Sequence, residues 1–299
     1  MNNVLVVSNL SAGRKRAIKY RRKIQTLLLK KHTRFQFITI DELQDVDMEN
    51  FDTILVVGGD GTVNKLLPYL VNTNKILGII PTGTANLLAA NLGINSASKA
   101  LEVVDRENST KIDVMTINNK LSVLRCGLGY DADIIGKTPQ SLKNKFGYFA
   151  YFIAGIIFAL RLKKKEYSVI IDNKERTIKA SCIIVANAGN MYQNLFSIAK
   201  NSKLDDGLFD IFILKIQNPI LFFIEFLRIL LNVKSSSKIA EYIKAKDFKI
   251  KNNYCLAHID GEKIKFMKDL DFTNSSFSIN IYCKEDIICL ERIETLTED

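Results

Sequence analysis

Only five of the 299 residues are cysteine (Cys126, Cys182, Cys255, Cys283 and Cys289), an odd number with no C-x-x-C pair. That argues against both a disulfide framework and a zinc site, and buried free thiols in a reducing cytosol are expected instead. The opening Met1-Asn2-Asn3-Val4-Leu5-Val6-Val7 lacks the basic lead and the apolar length of a signal peptide, and is expected to form a first strand. No apolar run is long enough to cross a bilayer. One uncharged and largely apolar stretch, residues 146–160, has fifteen residues, against the roughly 18 to 20 that a spanning helix needs. Lys143, Lys145, Arg161, Lys163, Lys164 and Lys165 flank it. A buried or interfacial helix is expected there, in a cytoplasmic protein for which peripheral contact with a membrane stays open. There is no internal repeat and no low-complexity linker.

Apolar side chains and positive charge are plentiful. With 47% hydrophobic residues the chain can bury a sizeable core, in one large domain or two of ordinary size. A net charge of +10 and a pI near 9.2 suit polyanionic partners: nucleotides, nucleic acid or an anionic membrane surface. Charge alone does not choose among them. It is also the only feature favouring nucleic acid, which is not expected as a partner.

The rest of the chain is organised around residues 53–67. An apolar, β-branched run, Thr53-Ile54-Leu55-Val56-Val57, ends in Gly58-Gly59-Asp60-Gly61-Thr62 and passes at once into the helical pattern Val63-Asn64-Lys65-Leu66-Leu67. A buried strand therefore delivers a glycine turn onto a helix N-terminus, which is an anion site in outline. A carboxylate at Asp60 repels phosphate unless a divalent cation lies between them, so a nucleotide with Mg²⁺ fits. The loop is neither G-x-x-x-x-G-K-[ST] nor G-x-G-x-x-G, and taken alone it is compatible with a plain strand-to-helix turn.

A second loop of the same kind follows the apolar run 76–80: Pro81-Thr82-Gly83-Thr84-Ala85-Asn86. Ahead of both, residues 4–7 lead through Ser8-Asn9-Leu10-Ser11-Ala12-Gly13 into a basic helix whose Arg14 and Lys15 lie nearest the loop. Residues 35–40 alternate as another strand, with Thr39 at its end within reach of a base or ribose. Strands alternating with helices predict a parallel α/β sheet, in which ligands collect at the carboxyl ends of strands. From Lys111 onward the pattern changes to strands and hairpins: 113–117, an Asn118-Asn119 turn, 121–127, 167–171, 178–187, 208–214, 248–250, 255–259 and 277–282. That clustering predicts an antiparallel second domain beginning near residue 115.

Among the helices, Pro68 is expected to kink or end the one that starts at the first glycine loop. Gly93 should end the helix of the second loop, and Ser96 should cap one running to about Asp105. Asn218-Pro219 opens a further helix, in which Glu225, Arg228 and Asn232 are the only polar residues through position 233. Burial of this apolar cylinder against a sheet is the expectation. Contact with lipid, helped by Lys234 and Lys238, is the alternative.

Together these motifs resemble the diacylglycerol kinase catalytic-domain family, lipid kinases that include bacterial diacylglycerol kinase-like proteins, sphingosine kinases and ceramide kinases. The Gly58 to Thr62 loop, shared with NAD kinases and phosphofructokinases, is the family's first nucleotide loop, and Pro81 to Asn86 matches its Pro-x-Gly-Thr-x-Asn loop. Asn9, Ser11 and Gly13 match an Asn-Pro-x-Ser-Gly loop in which Leu10 and Ala12 depart from the pattern. Lys65 stands where the family usually has Glu, and Leu87-Leu88 where Asp-Phe is common. Gly127-Leu128-Gly129-Tyr130-Asp131-Ala132 resembles a Gly-x-Gly-Phe-Asp-Ala turn, and Ala186 to Asn190 another loop of the family.

The resemblance implies an α/β fold of two domains: an N-terminal α/β nucleotide-binding domain of NAD kinase/diacylglycerol kinase type, and a C-terminal antiparallel β-sandwich, with the active site in the cleft. Residues 1–115 would form the first, with 284–299 returning to it, and 116–283 the second. The nucleotide would be held by Asn9, Leu10, Ser11, Ala12, Gly13, Thr39, the run Gly58 to Lys65 (Gly58, Gly59, Asp60, Gly61, Thr62, Val63, Asn64, Lys65) and Thr84. By the same resemblance, Leu204-Asp205-Asp206-Gly207-Leu208 holds Mg²⁺ through the Asp206 carboxylate and the carbonyls of Lys203 and Leu208. Asp260-Gly261-Glu262 is the catalytic turn. Glu262 is the expected proton acceptor, and Asp260 orients it or holds a catalytic Mg²⁺ with Asp60; these roles are exchangeable. His258 is expected to be structural.

The activity implied is ATP- and Mg²⁺-dependent phosphorylation of a membrane lipid alcohol, diacylglycerol first, with phosphatidylglycerol, monoacylglycerol and sphingoid bases open. NAD kinase and a catalytically inactive nucleotide- or lipid-binding regulator are the alternatives. A homodimer also stays open.

Overall fold

In a computed structural model of the chain, residues 1–9, 14–138, 154–155, 159–160, 162–187, 190–191, 196–197, 203–230, 238–251, 255–266, 269–273 and 277–285 are described. Leu10, Ser11, Ala12 and Gly13, most of the apolar run 146–160, and everything after 285 lie outside them. The chain forms two units, Met1–Ile112 with Ser278–Asp299, and Asp113–Phe277.

The first unit is built on a six-stranded sheet. In chain order its strands are β1 (Asn3–Ser8), β2 (Arg34–Thr39), β3 (Thr53–Gly58), β4 (Ile76–Pro81) and β5 (Ser109–Asp113). The chain's last strand, Ser278–Tyr282, lies between β4 and β5, and the spatial order is β2-β1-β3-β4-last-β5. β1 runs parallel to β2 and β3, and β4 parallel to β3 and to the last strand. Val4 to Val7 and Ile54 to Val56 are fully buried. Burial on both faces is why these strands read as unbroken apolar runs rather than as alternation.

Among the described residues four α-helices accompany the sheet: α1 (Arg14–Lys30), α2 (Asp60–Leu70), α3 (Leu87–Asn91) and α4 (Ala97–Arg106). Ile24 and Leu28 of α1, Leu66, Leu67 and Leu70 of α2, and Ala100 and Val104 of α4 carry their buried sides. Ser96 caps α4 as expected, its hydroxyl accepting the Lys99 N–H at 3.1 Å. Pro68 does not end α2, which runs on to Leu70. The proline is exposed while its neighbours Leu66, Leu67 and Leu70 are in the core. Burial of that face outweighs the one backbone hydrogen bond a proline forfeits.

The second unit has two six-stranded sheets. Its elements are β6 (Met115–Ile117), β7 (Lys120–Ser122), β8 (Arg125–Gly129), α5 (Tyr130–Lys137), β9 (Lys165–Ile171), β10 (Lys174–Ala180), β11 (Cys182–Ala186), the short pair β12 (Asn190–Met191) and β13 (Phe196–Ser197), β14 (Phe209–Leu214), α6 (Pro219–Leu230), β15 (Ala240–Ala245), β16 (Asp247–Lys251), β17 (Cys255–Ile259), β18 (Glu262–Phe266) and β19 (Leu270–Thr273). One sheet has the order β10-β9-β16-β19-β6-β7, the other β15-β14-β11-β8-β17-β18. Neighbours in both are antiparallel. Their inner faces share one core, in which Phe272 packs on Phe248 of its own sheet at 5.3 Å between ring centroids and edge-on to Phe209 of the other at 6.3 Å. Two-residue hairpins at Asn118-Asn119, Asp172-Asn173 and Asp260-Gly261 all have positive φ at both central residues. That is the mirror-image turn whose twist matches paired strands and which Asn, Asp and Gly tolerate.

Three further expectations need correcting. The single strand expected over 178–187 is two, because the chain changes sheets at buried Ser181, whose N–H goes to the Leu214 carbonyl and whose own carbonyl takes the Tyr130 N–H. The return to the first unit begins at Ser278, not at 284, so the strand assigned to residues 116–283 belongs to the first sheet. Ile279 and Ile281 are buried alternately there, a pattern equally compatible with either kind of sheet. Finally, α6 is turned the other way round. Glu225 is 1% exposed, whereas Ile220 is 69%, Phe223 49% and Ile224 43% exposed. A helix apolar on nearly every side has little to select its buried face. The edge contact of Phe222 with Tyr130, at 5.2 Å, accompanies an orientation that carries Glu225 inward. Burial pushes its carboxyl above the ordinary value, against the pull of Arg228 at 3.9 Å.

Gly78 in β4 has no room for a side chain. A Cβ there would lie 2.5 Å from Leu55 Cδ2 and 3.1 Å from Tyr282 Cδ2. Gly78→Ala is expected to destabilise the chain by about 1–3 kcal/mol, measurable as a lower midpoint in urea unfolding.

Candidate functional site

The ends of the parallel strands line up. Ser8 pairs with Thr39 on one side and Val57 on the other, and Gly58 pairs with Pro81. The loops after β1, β3 and β4 therefore leave from one edge of the sheet, where open α/β sheets hold ligands. Asn9 reaches across this edge, with its N–H on the Val57 carbonyl at 3.1 Å and its amide nitrogen donating to Thr62 Oγ1 at 3.2 Å.

The glycines of the first loop have different reasons to be glycine. A Cβ on Gly58 would meet Thr62 Oγ1 at 2.6 Å, and one on Gly83 would meet Gly59 Cα at 2.7 Å. Gly59 and Gly83 thus bring the two loops together backbone to backbone. Asn86, in the left-handed region at φ 50°, braces the second loop by accepting the Gly83 N–H at 3.0 Å and donating to the Gly83 carbonyl at 2.8 Å. Gly61 is different: a Cβ there would meet nothing within 4 Å. It is exposed in the first turn of α2, on the open side of the loop.

Asp60 links the loops. Its two carboxylate oxygens accept the N–H groups of Leu87 at 3.0 Å and Leu88 at 3.1 Å, at the head of α3. Its charge is offset by backbone donors, so no metal is required to explain a carboxylate in this loop. Among the other expected nucleotide residues, Val63 is buried in the core, Lys65 and Thr84 are exposed, and the Thr39 hydroxyl donates to Glu42 at 2.8 Å. Asn64 Oδ1 and Thr82 Oγ1 are buried without a hydrogen-bond partner among the described residues. An unpaired buried polar atom costs about 1–3 kcal/mol. Two of them flanking the glycine loops fit a site completed by a polar ligand.

In the second unit the hairpin between β17 and β18 carries Asp260 and Glu262. The Asp260 carboxylate is turned back onto the strand entering β8: Oδ1 accepts from the Ser122 hydroxyl at 2.7 Å, Arg125 N–H at 2.8 Å and Leu124 N–H at 3.2 Å, and Oδ2 from Val123 N–H at 3.2 Å. Burial pushes this carboxyl above its ordinary value, and the hydrogen bonds oppose that push. With every oxygen so engaged, Asp260 orients the turn and is not presented to a metal. Glu262 begins β18 and is exposed, and its side chain has no hydrogen-bond or ion-pair partner among the described residues.

Beneath the hairpin lies a buried charged cluster. His258 Nε2 is 2.6 Å from Asp131 Oδ2, and Arg125 Nη1 is 3.5 Å from the same oxygen. Burial works against ionisation of Asp131, but the Arg125 guanidinium and His258 more than offset it and hold its pKa at about 2. Gly127 makes room, since a Cβ there would fall 2.1 Å from Asp131 Oδ2 and 2.4 Å from His258 Nε2. Sequence reasoning missed Arg125 and Ser122, which lie in no motif. Asp131 was within reach, since it follows the Gly127 to Tyr130 turn.

The acidic turn expected to hold a metal is differently employed. Asp206 Oδ2 meets Lys244 Nζ at 2.6 Å and Oδ1 accepts the Leu208 N–H at 3.1 Å. Asp113 accepts the Gly207 N–H at 2.7 Å. Lys203 lies at the start of this turn. An ammonium thus stands where the resemblance puts a cation, and the donor set as folded does not fit Mg²⁺. Among the described residues no group of three or more His, Cys, Asp or Glu side chains is arranged to hold a metal.

Glycine loops along the carboxyl edge of a parallel sheet, together with an antiparallel sandwich carrying an acidic hairpin, define the two-domain architecture shared by diacylglycerol kinases and NAD kinases. Comparison with known proteins agrees. Residues 3–117 match the diacylglycerol kinase catalytic domain, and residues 125–268 the YegS C-terminal NAD kinase beta sandwich-like domain. The chain belongs to the diacylglycerol kinase catalytic-domain family. It is 32% identical over 73% of its length to an uncharacterised protein of Synechocystis sp., and 30% identical over 58% to a diacylglycerol kinase of Bacillus subtilis. The matched stretches span 48% and 59% of those relatives' own lengths. Among solved structures, a diacylglycerol kinase from Bacillus anthracis str. Sterne has a TM-score of 0.67 at 20% identity, over 96% of this chain and 98% of that one. An NAD kinase from Archaeoglobus fulgidus, in complex with ATP, has a TM-score of 0.56 at 15% identity, over 95% of each chain. At such identities the likeness is one of fold.

The two kinds of glycine can be separated experimentally. Gly59→Ala forces the loops apart and is expected to lower the melting temperature. Gly61→Ala has room and gains helix propensity, by about 1 kcal/mol, so it should fold at least as stably as the wild type while binding ATP more weakly. Thermal melts and calorimetric ATP titrations of the two variants check this.

Proposed function

We propose that the chain is a lipid kinase that transfers the γ-phosphate of ATP to the hydroxyl of a membrane lipid, diacylglycerol first. The observation that carries this reading is the division of labour at the acidic hairpin. One carboxylate, on Asp260, is fixed among backbone donors, and the next, on Glu262, is exposed and unpaired among the described residues. Family membership supplies the reaction class. In the transfer, the lipid oxygen forms a bond to the γ-phosphorus as the bond to the ADP oxygen breaks, and Glu262 takes up the hydroxyl proton. The N-terminal end of α2, with Gly61 open beside it, holds the phosphates. Asn64 and Thr82 offer their unpaired oxygens to the nucleotide or its ordered water. Mg²⁺ entering with ATP would offset the phosphate charge.

A lipid acceptor is supported by α6, whose Ile220, Leu221, Phe223, Ile224 and Leu227 are all at least 40% exposed. No helix among the described residues is long and apolar enough to cross a membrane. Apolar side chains of this kind on a chain of net charge +10 suit peripheral contact with an anionic bilayer from the cytoplasmic side.

The test is transfer of radioactive γ-phosphate from ATP with Mg²⁺ into an organic-extractable product in mixed micelles, with NAD as a parallel acceptor. Label in the lipid phase is the expected result, and chromatography of the product names the acceptor. Label only in NAD would replace this reading with an NAD kinase, and label in neither would favour a regulator without catalysis.

A further inference from the structure

The buried cluster under the acidic hairpin does more than fill the sandwich. We propose that His258 is a positioning residue, whose Nδ1 holds the Gly261 amide and thereby sets where Glu262 stands. This rests on the reading that Glu262 accepts the proton in a kinase reaction.

The argument begins with the turn. Ile259 and Glu262 form the last rung of the ladder, and Asp260 and Gly261 cross between them with φ of 47° and 90°. A two-residue turn of this type uses the amide of the residue after it in the ladder, while the amides of its two central residues ordinarily point to water. Here both are claimed from within the unit. Asp260 N–H donates to the Arg125 carbonyl at 2.9 Å, and Gly261 N–H donates to His258 Nδ1 at 3.3 Å. Nothing in the ladder demands the second bond, and a water could take its place.

The bond also fixes the state of the ring. A backbone N–H only donates, so Nδ1 must present a lone pair to Gly261, and the ring proton belongs on Nε2, facing Asp131 Oδ2 at 2.6 Å. Asp131 is held ionised by Arg125, whose main chain grips Asp260 from the other direction. His258 itself is fully buried. Ring, carboxylate and guanidinium therefore form a buried block that meets the hairpin at the amide one residue before Glu262. Placement to a fraction of an ångström is what a proton acceptor in phosphoryl transfer requires.

Two near-isosteric variants divide the contacts of the ring. His258→Asn keeps an acceptor near the place of Nδ1 and loses the reach to Asp131. His258→Gln keeps a donor near the place of Nε2 and loses the acceptor for Gly261. Both forfeit the packing of the imidazole, so both should melt below the wild type. In the kinase assay His258→Gln is expected to lower kcat by about tenfold or more with KM for ATP little changed, and His258→Asn to recover most of that loss. Amide hydrogen exchange at Gly261 is the second readout: slow in the wild type and in His258→Asn, fast in His258→Gln.

Equal losses of kcat in the two variants, or losses that simply follow their melting temperatures, would overturn the proposal. So would an unprotected Gly261 amide in the wild type. Absence of lipid phosphorylation by the wild type would instead overturn the functional reading, and the exchange measurement would still decide whether His258 holds the turn.

Discussion

A carboxylate taken out of water must be surrounded by donors, and Asp60 in the first unit and Asp260 in the second meet this demand with backbone N–H groups. Asp60 accepts from Leu87 and Leu88, and Asp260 from Val123, Leu124 and Arg125 with the Ser122 hydroxyl added. Hydrogen bonds to charged groups contribute about 1.5–3 kcal/mol each, so both aspartates are strong clamps, Asp60 on the free N–H groups at the head of α3 and Asp260 on the segment that joins β7 to β8. The first clamp ties the two glycine loops together. The second fixes the acidic hairpin to the start of β8.

The same principle separates residues that build the loops from residues that are left exposed. Gly59 and Gly83 touch one another, whereas Gly61 faces open space. Asp260 is consumed by the turn, whereas Glu262 is exposed. Asp206 serves Lys244, so an internal ammonium meets the need for positive charge at the acidic turn. In the first two cases residues of similar chemistry, close in sequence, have opposite roles, and the difference lies in what surrounds them.

Much of the fold was legible in the chain itself. The unbroken apolar runs ahead of Gly58 and Pro81 announced buried parallel strands, Asn118-Asn119 announced a hairpin, and Ser96 announced a helix start, because each depends on local chemistry. Three features were not legible, for physical reasons. The burial pattern of the strand Ser278–Tyr282 suits either kind of sheet, and only its partner β4 reveals which it joins. The buried side of α6 is set by contacts such as that of Phe222 with Tyr130, because the helix has too few polar residues to set it. The partners of Asp60 and Asp260 are backbone amides, which every sequence has everywhere, so a motif can single out an important carboxylate without saying what it touches. Arg125 is the extreme case: it belongs to no motif, yet its main chain and side chain bind both Asp260 and Asp131.

The division between Asp260 and Glu262 is tested most directly by measuring urea unfolding and lipid phosphorylation side by side for Asp260→Asn and Glu262→Gln. The account predicts that Glu262→Gln unfolds at the wild-type urea concentration while losing turnover. Asp260→Asn, which sets an amide NH₂ against backbone donors, should lose on the order of 2–3 kcal/mol of stability. An Asp260→Asn variant as stable as the wild type but without turnover would contradict it, for the reacting carboxylate would then be Asp260.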